Sequence, residues 1–312
     1  MKKVFIDGNS GTTGLKIYSR LKVRSDIEIL NIDYDKRRDL NERLKLINES
    51  DYTFLCLPDD ASNEIVSNIK NKKVIIIDTS TTHRTNLEWI YGFPELDVNY
   101  RKKIRESKRI SIPGCYACGF NSIVYPLVKK EIIDKDFNIF CFGISGYTGA
   151  GKKGINQYEN SNRNYEFKAP KIYGLNQNHK HLKEMKYISS LSKEPIFVPT
   201  ICNYPQGMII TIPFYTYQLN KNYNLKDIYN FFKDYYKGTD IIKVREIGYS
   251  KDICANKFSN RDDMEIEING NSERIIITAR FDNLGKGASG AAIQCLNISM
   301  GVDEKTGLNI GS

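Results

Sequence analysis

The opening of the chain constrains the fold more than any other stretch. Lys2-Lys3-Val4-Phe5-Ile6-Asp7 reads as a buried strand, Gly8-Asn9-Ser10-Gly11-Thr12-Thr13-Gly14 as a loop, and the residues that follow as an amphipathic helix. A strand that runs straight into a glycine loop and then a helix is the start of a βα unit. Its helix N-terminus can hold a pyrophosphate, and the glycines let the backbone come close to it. The spacing is G-x-x-G-x-x-G rather than the commoner G-x-G-x-x-G. Glycines alone are a weak signal, because many strand–helix turns carry them. Here their place in an alternating βα pattern gives them weight, and Gly8, Gly11, Thr12, Thr13 and Gly14 are the candidate dinucleotide contacts.

The alternation continues. Glu28–Asp33, Tyr52–Pro58 and Lys73–Asp78 read as further strands, with a crossover helix over Asp60–Asn71. Their apolar runs are continuous rather than alternating, the signature of a parallel sheet buried on both faces. The second strand ends about twenty residues past the glycines, where an acidic residue would take ribose hydroxyls and a cation a 2′-phosphate. Asp33 and Asp35 are there, and so are Lys36, Arg37 and Arg38. The three consecutive cations favour NADP; the competing reading makes them the solvated first turn of the next helix. The loop Thr79-Ser80-Thr-Thr-His83-Arg84 leaves the carboxyl end of a strand, where such sheets bind ligands. Tyr91–Leu96 reads as a turn, followed by a basic helix over Asn99–Lys108.

The next strand, Lys108–Ile112, leads into Pro113-Gly114-Cys115-Tyr116-Ala117-Cys118-Gly119-Phe120-Asn121. Pro-Gly is turn chemistry, and an apolar helical pattern follows, so Cys115 belongs where a strand ends and a helix begins. The first amides of a helix have no intrahelical acceptor and carry partial positive charge. A thiol there ionises readily, and the same amides can hold an oxyanion. Cys115 reads as a nucleophile.

From Phe137 the texture changes. A strand over Phe137–Ile144 ends in the glycine-rich, basic stretch 145–154, read as a loop able to cradle an oxyanion or as mere flexible chain. A polar irregular stretch follows to Asn178, then a helix that starts at His179. Longer strands over Ile196–Cys202, Met208–Phe214, Ile241–Glu246 and Arg274–Phe281, with a helix over Leu225–Tyr236, indicate an α+β second domain with a mixed, mostly antiparallel sheet. The fold class is α/β, an N-terminal Rossmann domain plus this second domain. The chain closes with a helix over Ala291–Met300.

The formal net charge is +9, yet no like-charge block exceeds Lys36-Arg37-Arg38 or Arg101-Lys102-Lys103, and no nucleic-acid motif accompanies it. A basic, non-catalytic nucleotide- or RNA-binding protein is therefore only the rival reading, and phosphorylated small molecules fit the charge. No apolar run approaches the length of a membrane span, and Asp7 and Gly8 interrupt the N-terminal run that would otherwise resemble an export signal. Seven cysteines, an odd number, then read as thiols of a reducing compartment, the cytoplasm.

The loop 8–14, YGFPEL, PGCYACGFN, SGYTGAGKK, HKHLKEM and DNLGKGASGAAIQ together resemble the N-acetyl-γ-glutamyl-phosphate reductases, the shorter of that family's two types, which are related to aspartate-semialdehyde dehydrogenases. The resemblance implies a Rossmann NADP-binding domain over 1–114, completed by a C-terminal helix over 285–312, and a catalytic and dimerisation domain over 115–284. It implies NADPH-dependent reduction of N-acetylglutamyl 5-phosphate to the 5-semialdehyde and phosphate, a step of arginine biosynthesis, by a homodimer or homotetramer. Related acyl phosphates, such as aspartyl phosphate or a carrier-bound amino-dicarboxylate phosphate, remain the alternative substrates. By the same likeness Cys115 is the nucleophile and the H-x-H pair supplies the acid–base, with His179 preferred and His181 nearby as a substrate contact. Lys152 and Lys153 fall where the family has a basic residue near the substrate phosphate. Arg84, with His83, matches a block after the fourth strand and takes substrate or cofactor. Ser80, Asn283, Lys286 and Gly287 join Arg37 and Arg38 as cofactor contacts, and the resemblance carries no metal.

Cys118 departs from the family, which usually has threonine or a similar small residue there. The Cys115-x-x-Cys118 spacing reads as accidental, as half of a zinc site completed by Cys141 or the histidines, or as a pair that oxidation would link.

Overall fold

The computed structural model describes residues 1–311. It divides into two compact units, Met1–Pro113 with Ala288–Leu308, and Gly114–Gly287 with the residues from Asn309.

The first unit holds β1 (Lys2–Asp7), α1 (Thr12–Leu21), β2 (Ile27–Leu30), α2 (Leu40–Glu49), β3 (Tyr52–Leu55), α3 (Asp59–Asn68), β4 (Ile75–Asp78), β5 (Ile90–Tyr91), α4 (Tyr100–Glu106) and β6 (Arg109–Ser111). All neighbours in its six-stranded sheet are parallel, in the order β2-β1-β3-β4-β6-β5. Both faces are covered, as the continuous apolar strands required. Val4, Ile6, Phe54, Ile77 and Ile110 pack with Ile293 and Leu296 of the C-terminal helix Gly290–Met300 on one side. Phe5, Leu55 and Ile76 pack with Ile47 and Ile65 on the other. The C-terminal helix is buried nearly all round from Gly290 to Ile298, which is why it carries no polar stripe. Each such side chain removed from water contributes about 1.5–3 kcal/mol.

Strand order reverses between β1 and β3, and there Gly8 adopts φ +82°. A Cβ at Gly8 would stand 2.3 Å from the Cys56 carbonyl oxygen, and one at Gly14 would stand 2.4 Å from the Gly8 oxygen. The fold itself therefore demands both glycines. It does not demand Gly11, whose Cβ would meet nothing nearer than the Gly8 oxygen at 3.5 Å.

The second unit holds α5 (Cys115–Lys129), β7 (Phe140–Gly146), α6 (Gly151–Glu159), β8 (Lys171–Ile172), α7 (His181–Ser189), β9 (Ile196–Cys202), β10 (Met208–Tyr215), α8 (Leu225–Tyr235), β11 (Ile242–Val244), β12 (Met264–Gly270) and β13 (Arg274–Phe281). Its seven-stranded sheet runs β11-β12-β13-β10-β7-β9-β8. The β7–β9 and β11–β12 pairs are parallel and the others antiparallel. The helix α5 lies against this sheet at close range: a Cβ at Gly119 would meet Ile210 at 2.5 Å and Phe281 at 2.7 Å. On the opposite face Phe140, Phe142 and Ile144 of β7 are exposed, as are Ile196, Tyr215 and Ile276 on β9, β10 and β13.

The structure differs from the sequence reading at several places. The strand expected over Glu28–Asp33 ends at Leu30, so Lys36, Arg37 and Arg38 are not the first turn of α2. They lie in and just after a 3-10 turn, Tyr34–Lys36, ahead of the true N-cap Asp39, whose carboxylate accepts the Asn41 and Glu42 amides. The stretch 145–154 is not a loop: a 3-10 turn, Tyr147–Ala150, passes into α6 through Gly151 at φ +68°. The strand β12 was missed, because its alternate residues Glu265 and Glu267 look like solvent-facing positions. Both are buried, and both pair with Arg280. The segment Gly285–Gly287 and the chain from Asn309 belong with the second unit, where Asn309 and Asp262 exchange two hydrogen bonds of 2.8 Å.

Candidate active site

Cys115 is the first residue of α5, half-buried, with Gly114 as an extended N-cap that offers no side-chain cap. The amides of that first turn thus point away from the helix without intrahelical acceptors. The Gly114 N–H donates instead to Glu184 Oε1 at 2.8 Å, a carboxylate on α7 that is almost fully buried. Gly287 presses on Cys115 from another side: a Cβ there would sit 2.9 Å from Cys115 Cβ and 3.3 Å from its Cα. Other cysteines are placed differently. Burial pushes the Cys56 thiol up to about 12 and raises that of Cys141 further, so neither ionises at neutral pH.

His179 precedes α7 and His181 begins it. The His181 N–H donates to His179 Nδ1 at 3.1 Å, so the neutral ring carries its proton on Nε2, which donates to the Tyr173 hydroxyl at 3.3 Å. Burial, and then the charge of Lys180, draw the His179 pKa down to about 4. At neutral pH His179 is an uncharged ring held in one tautomer.

Tyr116, the residue after Cys115, ties the parts together. Its ring meets His179 edge-on at 5.7 Å, His181 at 6.0 Å and Phe197 at 5.1 Å between centroids. Its hydroxyl lies beside those of Tyr173 and Ser145, and burial raises its pKa well above the ordinary value. Tyr173 is pushed up to about 12, chiefly by burial and further by the negative charge of an ionised Cys115. Gly143 on β7 makes room for this ring, since a Cβ there would strike Tyr116 at 2.6 Å. Cys115, Tyr116, Tyr173, His179 and His181 thus form one cluster inside the second unit.

The remaining expected residues fall into three groups. Arg84 is buried in the first unit, and its guanidinium donates to the carbonyls of Ile112 (2.8 Å) and Thr79 (2.9 Å) at the ends of β6 and β4. Ser80 is held by Asp78 through both its amide and its hydroxyl, and the same carboxylate accepts from His83 at 2.6 Å. His83 stacks on Trp89 with centroids 4.0 Å apart. Lys152 and Lys153 are exposed in the first turn of α6, and neither makes an ion pair among the described residues. Asn283 is a clamp: it accepts from the Gly207 amide (2.9 Å) and donates to Thr148 (3.0 Å). Lys286 is fully buried, and its carbonyl accepts from Cys118 Sγ at 3.6 Å.

Three participants escaped the sequence reading: Glu184, Tyr173 and Tyr116. Only Glu184 left a usable sign, since it stands three positions after His181 and so shares its helix face. Among the described residues no group of three or more His, Cys, Asp or Glu side chains could hold a metal ion, and no helix is long and apolar enough to cross a membrane.

Residues 3–107 match the family described as semialdehyde dehydrogenase, NAD binding domain, and residues 115–283 match semialdehyde dehydrogenase, dimerisation domain. The chain is 41% identical over 321 aligned residues to the N-acetyl-gamma-glutamyl-phosphate reductase of Trichormus variabilis, covering 98% of this chain and 99% of that one. It is 40% identical to the enzyme of that name from Sinorhizobium fredii, with coverages of 96% and 98%. Among solved structures, aspartate semialdehyde dehydrogenase from Francisella tularensis superposes with a TM-score of 0.72 at 14% identity, over 96% of this chain and 99% of that one. Aspartate semialdehyde dehydrogenase II from Vibrio cholerae gives 0.70, also at 14% identity, over 96% and 98%. These two likenesses speak for the fold. With a parallel NAD(P)-binding unit, a mixed-sheet dimerisation unit and full-length relatives at this identity, the chain belongs to the N-acetyl-gamma-glutamyl-phosphate reductase family.

Proposed function

We propose that this chain reduces N-acetylglutamyl 5-phosphate to N-acetylglutamate 5-semialdehyde and phosphate, using NADPH, as a cytoplasmic step of arginine biosynthesis. The relatives carry the substrate name. The observation that carries the chemistry is Cys115 on the first turn of α5, beside Tyr116, whose ring meets both histidines, and close enough to Tyr173 for its charge to act there.

The Cys115 thiolate is stabilised by the partial positive charge of the helix start and attacks the acyl carbon. The acyl–phosphate bond breaks, phosphate departs and a thioester remains on Cys115. A dinucleotide, when bound, would supply the hydride that takes this thioester to a thiohemiacetal, whose C–S bond then breaks to release the aldehyde and restore Cys115. The first amides of α5, which have no intrahelical acceptor, donate to the oxygen that carries the developing charge. The H-x-H pair takes up the thiol proton at the start of the cycle and, so charged, is the acid that returns it to the reacting oxygen, with His179 held in place by the His181 amide. Tyr173 orients His179, and Glu184 holds the turn that presents Cys115. Lys152 and Lys153, exposed cations without partners, are available to a phosphate.

The dinucleotide fits the first unit. Gly8 and Gly14 are required by the backbone, whereas Gly11 is free of any close contact at the start of an uncapped helix whose first residues are Thr12 and Thr13. Arg37, stacked 3.8 Å over Tyr34, and exposed Arg38 follow the second strand, the region that reads the ribose in such sheets, and two cations there support NADPH over NADH. The open apolar face of Phe140, Phe142, Ile144, Ile196, Tyr215 and Ile276 is the surface through which two copies would pair, as a dimer or as half of a tetramer.

The test is the reverse reaction, phosphate-dependent reduction of NADP⁺ by N-acetylglutamate semialdehyde, in the wild type and in Cys115→Ser. Phosphate-dependent turnover reduced roughly ten-thousandfold in the variant is the expected result. Turnover unchanged by the substitution would remove Cys115 as nucleophile. A folded protein that binds NADP⁺ but turns over only another semialdehyde would reassign the substrate.

A further inference from the structure

We infer that Cys118 makes the active-site nucleophile a reversible oxidation site, in which a hydroperoxide links Cys115 to Cys118 as an intrahelical disulfide. The inference rests on the reading of Cys115 as a reactive thiolate, and it concerns a residue that the reduction itself does not use.

Cys115 and Cys118 occupy the first and fourth positions of α5. Residues three apart on a helix have Cα atoms about 5 Å apart, from a rise of about 1.5 Å and a turn of about 100° per residue. That separation lies within the range that a disulfide spans. Helical spacing alone would be a weak argument. The second observation is that both side chains address one short backbone strip: Cys118 Sγ lies 3.6 Å from the Lys286 carbonyl, and the adjacent Gly287 packs against Cys115 Cβ. The two side chains therefore stand against the same strip, and a rotation of Cys118 away from a weak S–H···O contact brings it toward its neighbour. Accessibility divides the roles. Cys115 is half-buried and can meet a small oxidant, whereas Cys118 is wholly buried and shielded from it.

The chemistry closes without further groups. The Cys115 thiolate attacks one peroxide oxygen, the O–O bond breaks, and a sulfenic acid forms while the alcohol or water leaves. Cys118 then attacks the sulfenic sulfur, the S–S bond forms and the S–O bond breaks. The Cys118 proton departs with the hydroxide as water. The two sulfurs together are oxidised by two electrons and the peroxide is reduced by two. Without Cys118 the sulfenic acid stays exposed to a second peroxide and advances to the irreversible sulfinic acid. With it, the nucleophile is closed but recoverable by a dithiol.

The experiment treats wild type, Cys118→Ser and Cys118→Ala with hydrogen peroxide, then divides each sample with and without dithiothreitol. Intact mass, the peptide spanning both cysteines and activity are read on each. The wild type is expected to lose the mass of two hydrogens, to yield a peptide with Cys115 and Cys118 linked, and to regain most of its activity on reduction. The variants are expected to start active, gain oxygen on Cys115 and stay inactive after reduction. Oxygen gained by the wild type with no linked peptide would overturn the inference, as would variants that recover as fully as the wild type. The linked peptide is read in the wild type without any substrate, so neither a poorly folded variant nor a wrong substrate assignment obscures the outcome.

Discussion

The glycine loop of the first unit and the Cys115 turn of the second are both strand-to-helix junctions, yet different physics holds each in shape. The loop is fixed by hard sterics between neighbours: Gly8 needs φ +82° and clearance from Cys56, and Gly14 needs clearance from Gly8. The Cys115 turn has no such internal template. It is held by Glu184 from α7, by the backbone at Gly287, and by a ring of aromatic side chains from segments far apart in sequence. A junction of the first kind tolerates almost no change at its glycines. The second kind tolerates change at any one partner and loses alignment by degrees.

That contrast is open to direct attack. Gly8→Ala forces a side chain into a left-handed backbone position and a 2.3 Å approach, and should destabilise the chain by about 2–4 kcal/mol in a denaturant titration. Gly11→Ala, with 3.5 Å to its nearest neighbour, should leave stability nearly unchanged while it weakens dinucleotide binding. Equal stability loss in both would erase the distinction between a glycine the fold needs and one a ligand needs.

Glu184 is the matching probe in the second unit. Glu184→Ala leaves the buried Gly114 N–H without its acceptor, a loss of about 1–3 kcal/mol. If that loss falls on the alignment of Cys115, kcat should drop roughly ten- to a hundredfold with KM little changed, and alkylation of Cys115 by iodoacetamide should slow. Glu184→Gln keeps an acceptor and should restore most of the rate. A Glu184→Ala enzyme with normal kcat and only a lower melting point would reduce Glu184 to a packing residue.

A smaller effect is expected at Arg38. Arg38→Ala should raise KM for NADPH by roughly tenfold and leave NADH use unaltered, the size expected for one charge-assisted contact. Parallel changes with both cofactors would place the arginine elsewhere.

A pH-dependent effect concerns His179, whose protonation is disfavoured in the folded chain by burial and by Lys180, with a pKa near 4 against an ordinary 6.5. Between those values the unfolded chain binds more protons, so this group's contribution is full above pH 6.5 and is lost as the pH falls toward 4. Melting midpoints followed from pH 7 to 4 should fall in the wild type and flatten over that interval in His179→Gln. An identical slope in both would put the ring in a solvated setting.

The same contrast explains what could be read from the sequence. The parallel sheet, its strand-loop-helix opening and the place of Cys115 at a helix start were legible because each is encoded within a few consecutive residues. The Glu184–Gly114 bond was not, since its partners stand 70 residues apart. Tyr173 was hidden in a polar stretch with no periodicity, although its hydroxyl meets the His179 ring. The cations at 36–38 were visible, but the N-cap that places them before α2 was Asp39, one residue beyond the run. In β12 the period-2 pattern was present, and the buried glutamates that pair with Arg280 disguised it.

The central claim is that the acyl group passes through a covalent bond to Cys115. The most direct measurement is the intact mass and peptide map of the enzyme quenched after mixing with N-acetylglutamyl 5-phosphate in the absence of reduced dinucleotide. We expect an N-acetylglutamyl adduct confined to the peptide bearing Cys115, lost on addition of NADPH and absent from Cys115→Ser. An adduct on another side chain, or Cys115→Ser enzyme that turns over at the wild-type rate without one, would contradict it.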